Sequence, residues 1–397
     1  MKNAILEKNA ILEKMVEDWN KEESEGKRQP TSIVDKKETV IRTHYTGPPY
    51  TKEPTPLERL TQYSITGQSK NLRKQMLDDQ FVLKDMAIMG QWTTIYGAPN
   101  SGKTLITNWL LRESILSESI DGELVFYINA DDNYRGLVEK IELAENWGMH
   151  MIAPHHKHFT VDQGPELLAE MADDGSARGA VVILDTLKKF TDLMDKRVAS
   201  QFGVAARGFV SAGGTLIALA HTNKHAGADG KSIYSGTSDI VDDSDCCFII
   251  DKISVDERFD AKTHTIEYTN IKARGDVSSK VGFTYEKSPG QEYTALLDSV
   301  KRVDEYCLKE IKGKAKIQAA LEEDAEIIQI ILALIKDGTF TKAKIIKDAH
   351  EISGESTARV KKVLERCTGA SYQFGHRWRQ KTESHNRHVF EILPAHS

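Results

Sequence analysis

The chain of 397 residues predicts an α/β fold, a mainly parallel sheet covered by helices, with a small helix-rich module towards its C-terminal end. Three observations carry this. The glycine-rich run Gly97-Ala98-Pro99-Asn100-Ser101-Gly102-Lys103-Thr104 stands between a strand-like stretch at 92–96 and a helical one at 105–117. Further on, apolar runs of strand length alternate with stretches of helical periodicity. Several of those runs end in carboxylates or other polar groups, as strands do at the C-terminal edge of a parallel sheet.

The elements follow in order. Lys2–Glu7 is repeated as Lys8–Glu13, and Ile5, Leu12 and Trp19 fall seven apart on one helical face. This amphipathic segment either docks on a neighbouring subunit or remains a solvated arm. Pro30, Pro48, Pro49, Pro54 and Pro56, half of the 10 prolines, mark a linker, so residues 1–56 read as arm and linker. Residues 57–299 form the α/β core, with further strands expected at 124–129, 180–185, 215–221, 246–251, 265–271 and 281–285. The later strands lack intervening helices and are expected as antiparallel additions at a sheet edge. Residues 300–323 are a charged helical connector, and 324–397 a separate basic module.

Composition narrows the function classes. No apolar stretch approaches the ~20 residues that cross a bilayer, and acidic residues interrupt the N-terminal apolar pattern, so a cytoplasmic protein with no membrane partner is expected. The four cysteines, Cys246, Cys247, Cys307 and Cys367, lack metal-type spacing. A net charge of −6 leaves nucleic-acid contact to local basic patches.

The glycine run fits the pattern G-x-x-x-x-G-K-[ST] in the strand-to-helix context where that pattern has physical meaning, and a nucleoside triphosphate, ATP with Mg2+, is the ligand it implies. Glycines let several backbone N–H groups approach phosphate oxygens at a helix N-terminus; Lys103 reaches the β- and γ-phosphates and Thr104 ligates magnesium. Asp185, ending the run Ala180-Val-Val-Ile-Leu, is placed to hold the same ion. The strand at 124–129 leads into Ala130-Asp131-Asp132-Asn133; Asp131 is the candidate to orient an attacking water, and Asp132 reads as a turn or helix-capping residue. His221, at the end of the strand 215–221 and before a long polar loop, is the candidate sensor of the γ-phosphate, while His225 is assigned a structural role.

Together GAPNSGKT, YINADD, VVILDT, GGTLIALAHTNK and NIKARGD resemble the RecA-type ATPase core in its ring-helicase form, similar to plasmid RepA and DnaB-type replicative helicases, over roughly 81–285. A further likeness is to AAA-family ATPases of mobile genetic elements, around DTLKKFTDLMDK and SGTSDIVDDSD. The resemblance implies a homo-oligomer, a hexamer, with ATP between subunits and Lys272 and Arg274 of Lys272-Ala273-Arg274-Gly275 reaching into the neighbour's site. Without the family these two residues read as a solvated strand end. It also implies that the loop 225–243 lines a channel for single-stranded DNA, with Lys224 and Lys231 as phosphate contacts. The family's usual catalytic acid is Glu where this chain has Asp131, one methylene shorter.

In the C-terminal module, helices are expected at 324–335, 341–350 and 356–367, followed by a basic hairpin, the order of a winged helix. Arg359, Lys362 and Arg366 share one face of the third helix opposite Val360, Val363, Leu364 and Cys367, and Arg377 and Arg379 lie in the hairpin; these are the candidate contacts to duplex DNA. The sequence thus predicts a hexameric DNA helicase of a phage, plasmid or other mobile element. Its rivals are a nucleotide-switched DNA-binding regulator and a recombinase-like filament.

Overall fold

The computed structural model describes residues 54–397 except 76–79, 224–232, 237, 259–260, 340, 384–386 and 395–397. The duplicated N-terminal segment, Lys224, His225 and Lys231 lie outside the described residues. The chain divides into two units, 1–72 and 73–397. In the first, helix α1 (Pro56–Gln62) starts at a capping box in which Thr55 Oγ1 accepts from the Glu58 N–H and the Glu58 carboxylate accepts from the Thr55 N–H; Pro56 fixes the first helical φ. A short helix α2 (Ser69–Gln75) follows.

The second unit opens with a small hairpin, β1 (Phe81–Leu83) and β2 (Ala87–Ile88). Strands and helices then alternate: β3 (Trp92–Gly97), α3 (Lys103–Leu116), β4 (Val125–Asn129), α4 (Tyr134–Trp147), β5 (His150–Ile152), α5 (Gln163–Asp174), β6 (Val181–Asp185), α6 (Lys196–Ser211) and β7 (Thr215–His221). Next come α7 (Asp239–Asp243), three long strands β8 (Cys246–Arg258), β9 (Ala261–Ala273) and β10 (Lys280–Lys287), then α8 (Tyr293–Asp298) and β11 (Lys301–Val303). Among the described residues these strands form one nine-stranded sheet in the order β11-β10-β9-β8-β3-β7-β6-β4-β5. From β8 to β5 all neighbours are parallel, and β9, β10 and β11 add antiparallel at the β8 side. A large, mostly parallel sheet flanked by helices is compatible with a RecA-like fold.

Strand alternation sends residues to two cores, one on each face of the sheet. Ile95, Phe248 and Tyr268 pack with Ile106, Leu110 and Leu111 of α3, whereas Trp92, Tyr96 and Leu184 pack with Phe202, Ala206 and Phe209 of α6. Burial on both faces is why β6 and β7 read as unbroken apolar runs.

Helix α9 (Glu305–Glu323) leads to α10 (Ala325–Lys336), α11 (Lys342–Ser353), α12 (Thr357–Arg366) and a hairpin, β12 (Trp378–Glu383) with β13 (Arg387–Ile392). These enclose a third core of Ile327, Ile331, Ile335, Ile345, Val360, Leu364, Trp378 and Phe390. The Trp378 indole N–H donates to the Leu364 carbonyl, locking the hairpin to the end of α12. Among the described residues no helix is long and apolar enough to cross a membrane.

Candidate functional site

Parallel pairing brings four strand ends to one edge. In register, Asn129 stands beside Asp185, Asp185 beside Leu219, and Gly97 beside His221. The glycine-rich loop leaves β3 at this edge and enters α3. Two glycines are required by the geometry. A Cβ on Gly97 would lie 2.6 Å from Ser101 Oγ and 3.1 Å from Ile250 Cδ1, and Gly102 sits at φ +91°, a left-handed conformation, where it caps α3 without a side-chain bond. The first backbone N–H groups of α3 are thus left for an anion.

Around the loop lies a cleft of about 510 Å³ lined by Pro99 to Leu105 and by Asp131, Asp185 and His221. Lys103 is buried and folds back on its own loop, donating from Nζ to the carbonyls of Gly97 (2.6 Å) and Ala98 (3.0 Å). Burial pushes its ammonium down to about 8, against the opposing pull of Asp185 and Asp131. Thr104 Oγ1 donates to Asp185 Oδ2 at 2.7 Å, and the buried Tyr127 hydroxyl donates to the same oxygen at 2.7 Å. A hydroxyl and a carboxylate held this close can share one hard cation, which would draw the rest of its octahedral shell from water and phosphate oxygens. Among the described residues there is no cluster of three or more His, Cys, Asp or Glu side chains able to hold a metal alone.

The two carboxylates after β4 separate cleanly. Asp132 is taken up by the Asn129 amide (2.6 Å) and by an ion pair with Lys140. The Asp131 carboxylate, exposed on the cleft, makes no hydrogen bond or ion pair among the described residues. Helix α4 is capped by Asn133, whose Oδ1 accepts from the Gly136 N–H, so capping falls one residue later than Asp132. The two ring nitrogens of His221 are buried next to the Gly97 backbone, and burial, then Lys103 and Lys188, push its imidazolium down against the opposing pull of Asp131 and Gly97, leaving a neutral ring at pH 7.

Lys272 and Arg274 are not brought to this cleft. Lys272, near the end of β9, and Arg274, just after it, lie beside the start of β8 and β3, one strand length, roughly 17 Å, from the glycine loop. Lys272 Nζ donates to the carbonyls of Val241 (2.8 Å) and Asp242 at the C-terminal end of α7, and Arg274 pairs with Asp245 at 3.3 Å.

The basic residues of the C-terminal module are largely engaged. Buried Asp324 pairs with Arg359 (3.2 Å) and Arg366 (2.9 Å); Glu355 adds a second partner to Arg359. Arg377 lies over the Tyr372 ring at 3.9 Å, and Arg379 pairs with Glu391 at 2.9 Å. Lys362 is exposed.

Sequence reasoning missed Tyr127, Lys140, Lys252, His264, Tyr285, Lys287 and Tyr293. All but Tyr127 line the cleft. Lys252, His264 and Lys287 continue the period-two faces of β8, β9 and β10 (Phe248, Ile250, then Lys252; Tyr268, Ile266, then His264; Phe283, Tyr285, then Lys287), a signal that shows only once the strands extend past their apolar segments.

No protein-family model matches the chain, and no curated protein matches it.

Proposed function

We propose that the chain is a MgATP-hydrolysing, homo-oligomeric ATPase of the RecA-like ring type, a hexamer that moves on single-stranded DNA as the replicative helicase of a mobile element. One observation carries the nucleotide part: Lys103, Thr104 and Asp185 converge at the N-terminus of α3, with the Thr104–Asp185 contact already made at 2.7 Å. The backbone N–H groups of the loop bind the phosphates, and Lys103 exchanges two neutral carbonyls for phosphate oxygens. Thr104 and Asp185 hold magnesium, which when bound neutralises charge on the β- and γ-oxygens. Asp131 orients the attacking water, and His221, as a neutral ring beside Gly97, reports the γ-phosphate to the segment that follows β7.

Lys272 and Arg274 lie at the opposite sheet edge, which supports a role towards a neighbouring copy and not towards their own cleft. An arginine acting across subunits contributes about 10³–10⁵ in rate. The C-terminal module serves as a winged helix on duplex DNA. Lys362 is its readiest contact, since Arg359 and Arg366 must first give up Asp324.

The test is ATP turnover with and without single-stranded DNA, on wild type and Arg274→Ala protein mixed in varied ratios. DNA-stimulated turnover is expected, with activity falling faster than the wild-type fraction as the variant is added. A protein that stays monomeric under saturating ATP and DNA yet turns over fully would overturn the ring reading.

A further inference from the structure

The order of the sheet gives the cleft a direction. The groups suited to the terminal phosphate stand on one side of β3, Asp131 just after β4 and Asp185 and His221 at the ends of β6 and β7, and the glycine loop leaves β3 itself. On the other side of β3 stand β8, β9 and β10. A triphosphate laid across the loop with its γ end at the carboxylates therefore carries its nucleoside towards these three strands.

They are built to meet it. Strand β3 ends at Gly97 opposite Ile250, while β8 runs on for eight residues to Arg258, an overhang of roughly 26 Å. One face of β8, β9 and β10 supplies buried core under α3 through Phe248, Tyr268 and Phe283, and emerges past the loop as Lys252, His264, Tyr285 and Lys287, which line the cleft. His264 and Tyr285 are cross-strand partners with parallel rings, 4.9 Å between centroids and 9° between planes. A Cβ on Gly102 would lie 3.2 Å from the Tyr285 ring, so this pair abuts the glycine loop directly. His264 Nε2 is buried and has no hydrogen-bond partner among the described residues, so the ring offers a ligand its face and not that nitrogen. Burial, then Lys252, Lys287 and Lys262, push its imidazolium down, so the face of a neutral ring meets an incoming base.

We propose that His264, backed by Tyr285 and flanked by Lys252 and Lys287, is the nucleoside subsite of the cleft, seating a purine base face-on against the stacked pair. The inference rests on the nucleotide-binding reading of the glycine loop. The two lysines, both exposed, donate to ribose hydroxyls and base acceptors.

Calorimetric titration of the full chain with MgATP and with magnesium tripolyphosphate, which lacks base and sugar, separates the two claims. Wild type is expected to bind both, with ATP favoured; His264→Ala is expected to weaken ATP about tenfold, a typical loss for one base stack, and leave tripolyphosphate unchanged. Lys103→Ala weakens both ligands. Should His264→Ala disturb the strand, the Lys252→Ala/Lys287→Ala double variant gives the same reading on exposed positions, with ATP weakened about threefold and tripolyphosphate untouched. Wild type that binds neither ligand overturns the nucleotide reading itself. Wild type that binds both, with the variants losing ATP and tripolyphosphate equally or losing neither, overturns the subsite alone.

Discussion

Lys103 and Arg359 both sit in the first turn of a helix, where the backbone dipole disfavours a cation, and each is held there by a different kind of partner. Lys103 donates to two neutral carbonyls of its own loop; Arg359 is bound to the carboxylates of Asp324 and Glu355. A phosphate outcompetes neutral carbonyls for an ammonium, because the charged hydrogen bond is about twice as strong. Against a carboxylate it competes charge for charge. The loop at α3 is therefore arranged to release its cation to a ligand, and the turn at α12 to keep its cation for the fold.

The largest effect expected from this contrast is at Lys103. Lys103→Ala removes the charge facing the developing phosphate charge and is expected to lower ATP turnover by at least about 100-fold, the scale of losing one electrostatic donor in a site. Circular dichroism should stay native, because the loss is confined to one side chain and its two bonds to loop carbonyls.

A smaller effect follows from protonation. Free Lys103 loses its proton near pH 8, below the usual 10.5, because burial disfavours the ammonium. Triphosphate binds the charged form, so binding takes up a proton above that pH and affinity falls as pH rises. About tenfold per pH unit is the limiting slope, reached well above pH 8; between pH 8 and pH 9 binding is expected to weaken about fivefold. Lys103→Arg does not titrate in this range and should flatten the profile, whatever it costs in absolute affinity. A wild-type profile level from pH 7 to 9.5 would remove the depressed lysine from the account.

At the other region, Asp324→Asn withdraws the charge that holds Arg359 and Arg366. The thermal midpoint of the C-terminal module is expected to fall by about 2–4 °C. Affinity for duplex DNA, measured by anisotropy at fixed salt, is expected to rise about threefold as Arg366 loses its ion pair and Arg359 keeps only Glu355. A fall in affinity would mean that the paired geometry is itself the binding geometry.

The same contrast explains what the sequence made legible. The loop, Asp185 and His221 belong to local patterns, apolar strands that end at a polar residue, and β7 occupies the span 215–221 expected of it. The antiparallel additions were legible in kind but not in length, because β8 and β9 alternate charged and apolar residues beyond 251 and before 265, and that alternation reads as loop until a partner strand is known. Cation pairing in α12 was not legible. Arg359, Lys362 and Arg366 do share a face opposite the buried Val360 and Leu364, but Asp324 lies more than thirty positions away, in the turn before α10, and only tertiary packing brings it to them. Tyr127 was hidden for a similar reason: within YINADD it looks like core, and its hydroxyl acquires meaning from Asp185 on the adjacent strand.

The smallest effect belongs to the hairpin, where Glu391 takes both Arg379 and Lys381 on a solvent-facing surface. Those two cations hold its carboxyl down at about 2, below the ordinary 4.5, through direct hydrogen bonds first and through their charge second. A depressed carboxylate stabilises the fold above its unfolded value and loses that contribution as pH falls from about 4.5 towards 2. Exposed pairs are screened and contribute little, so Glu391→Gln at pH 7 is expected to leave the thermal midpoint unresolved from wild type. Its consequence lies in binding: freeing Arg379 and Lys381 should steepen the salt dependence of duplex-DNA affinity by up to two phosphate contacts. If the slope does not move while Asp324→Asn raises affinity, the contact surface is the α12 face alone and the hairpin only braces it.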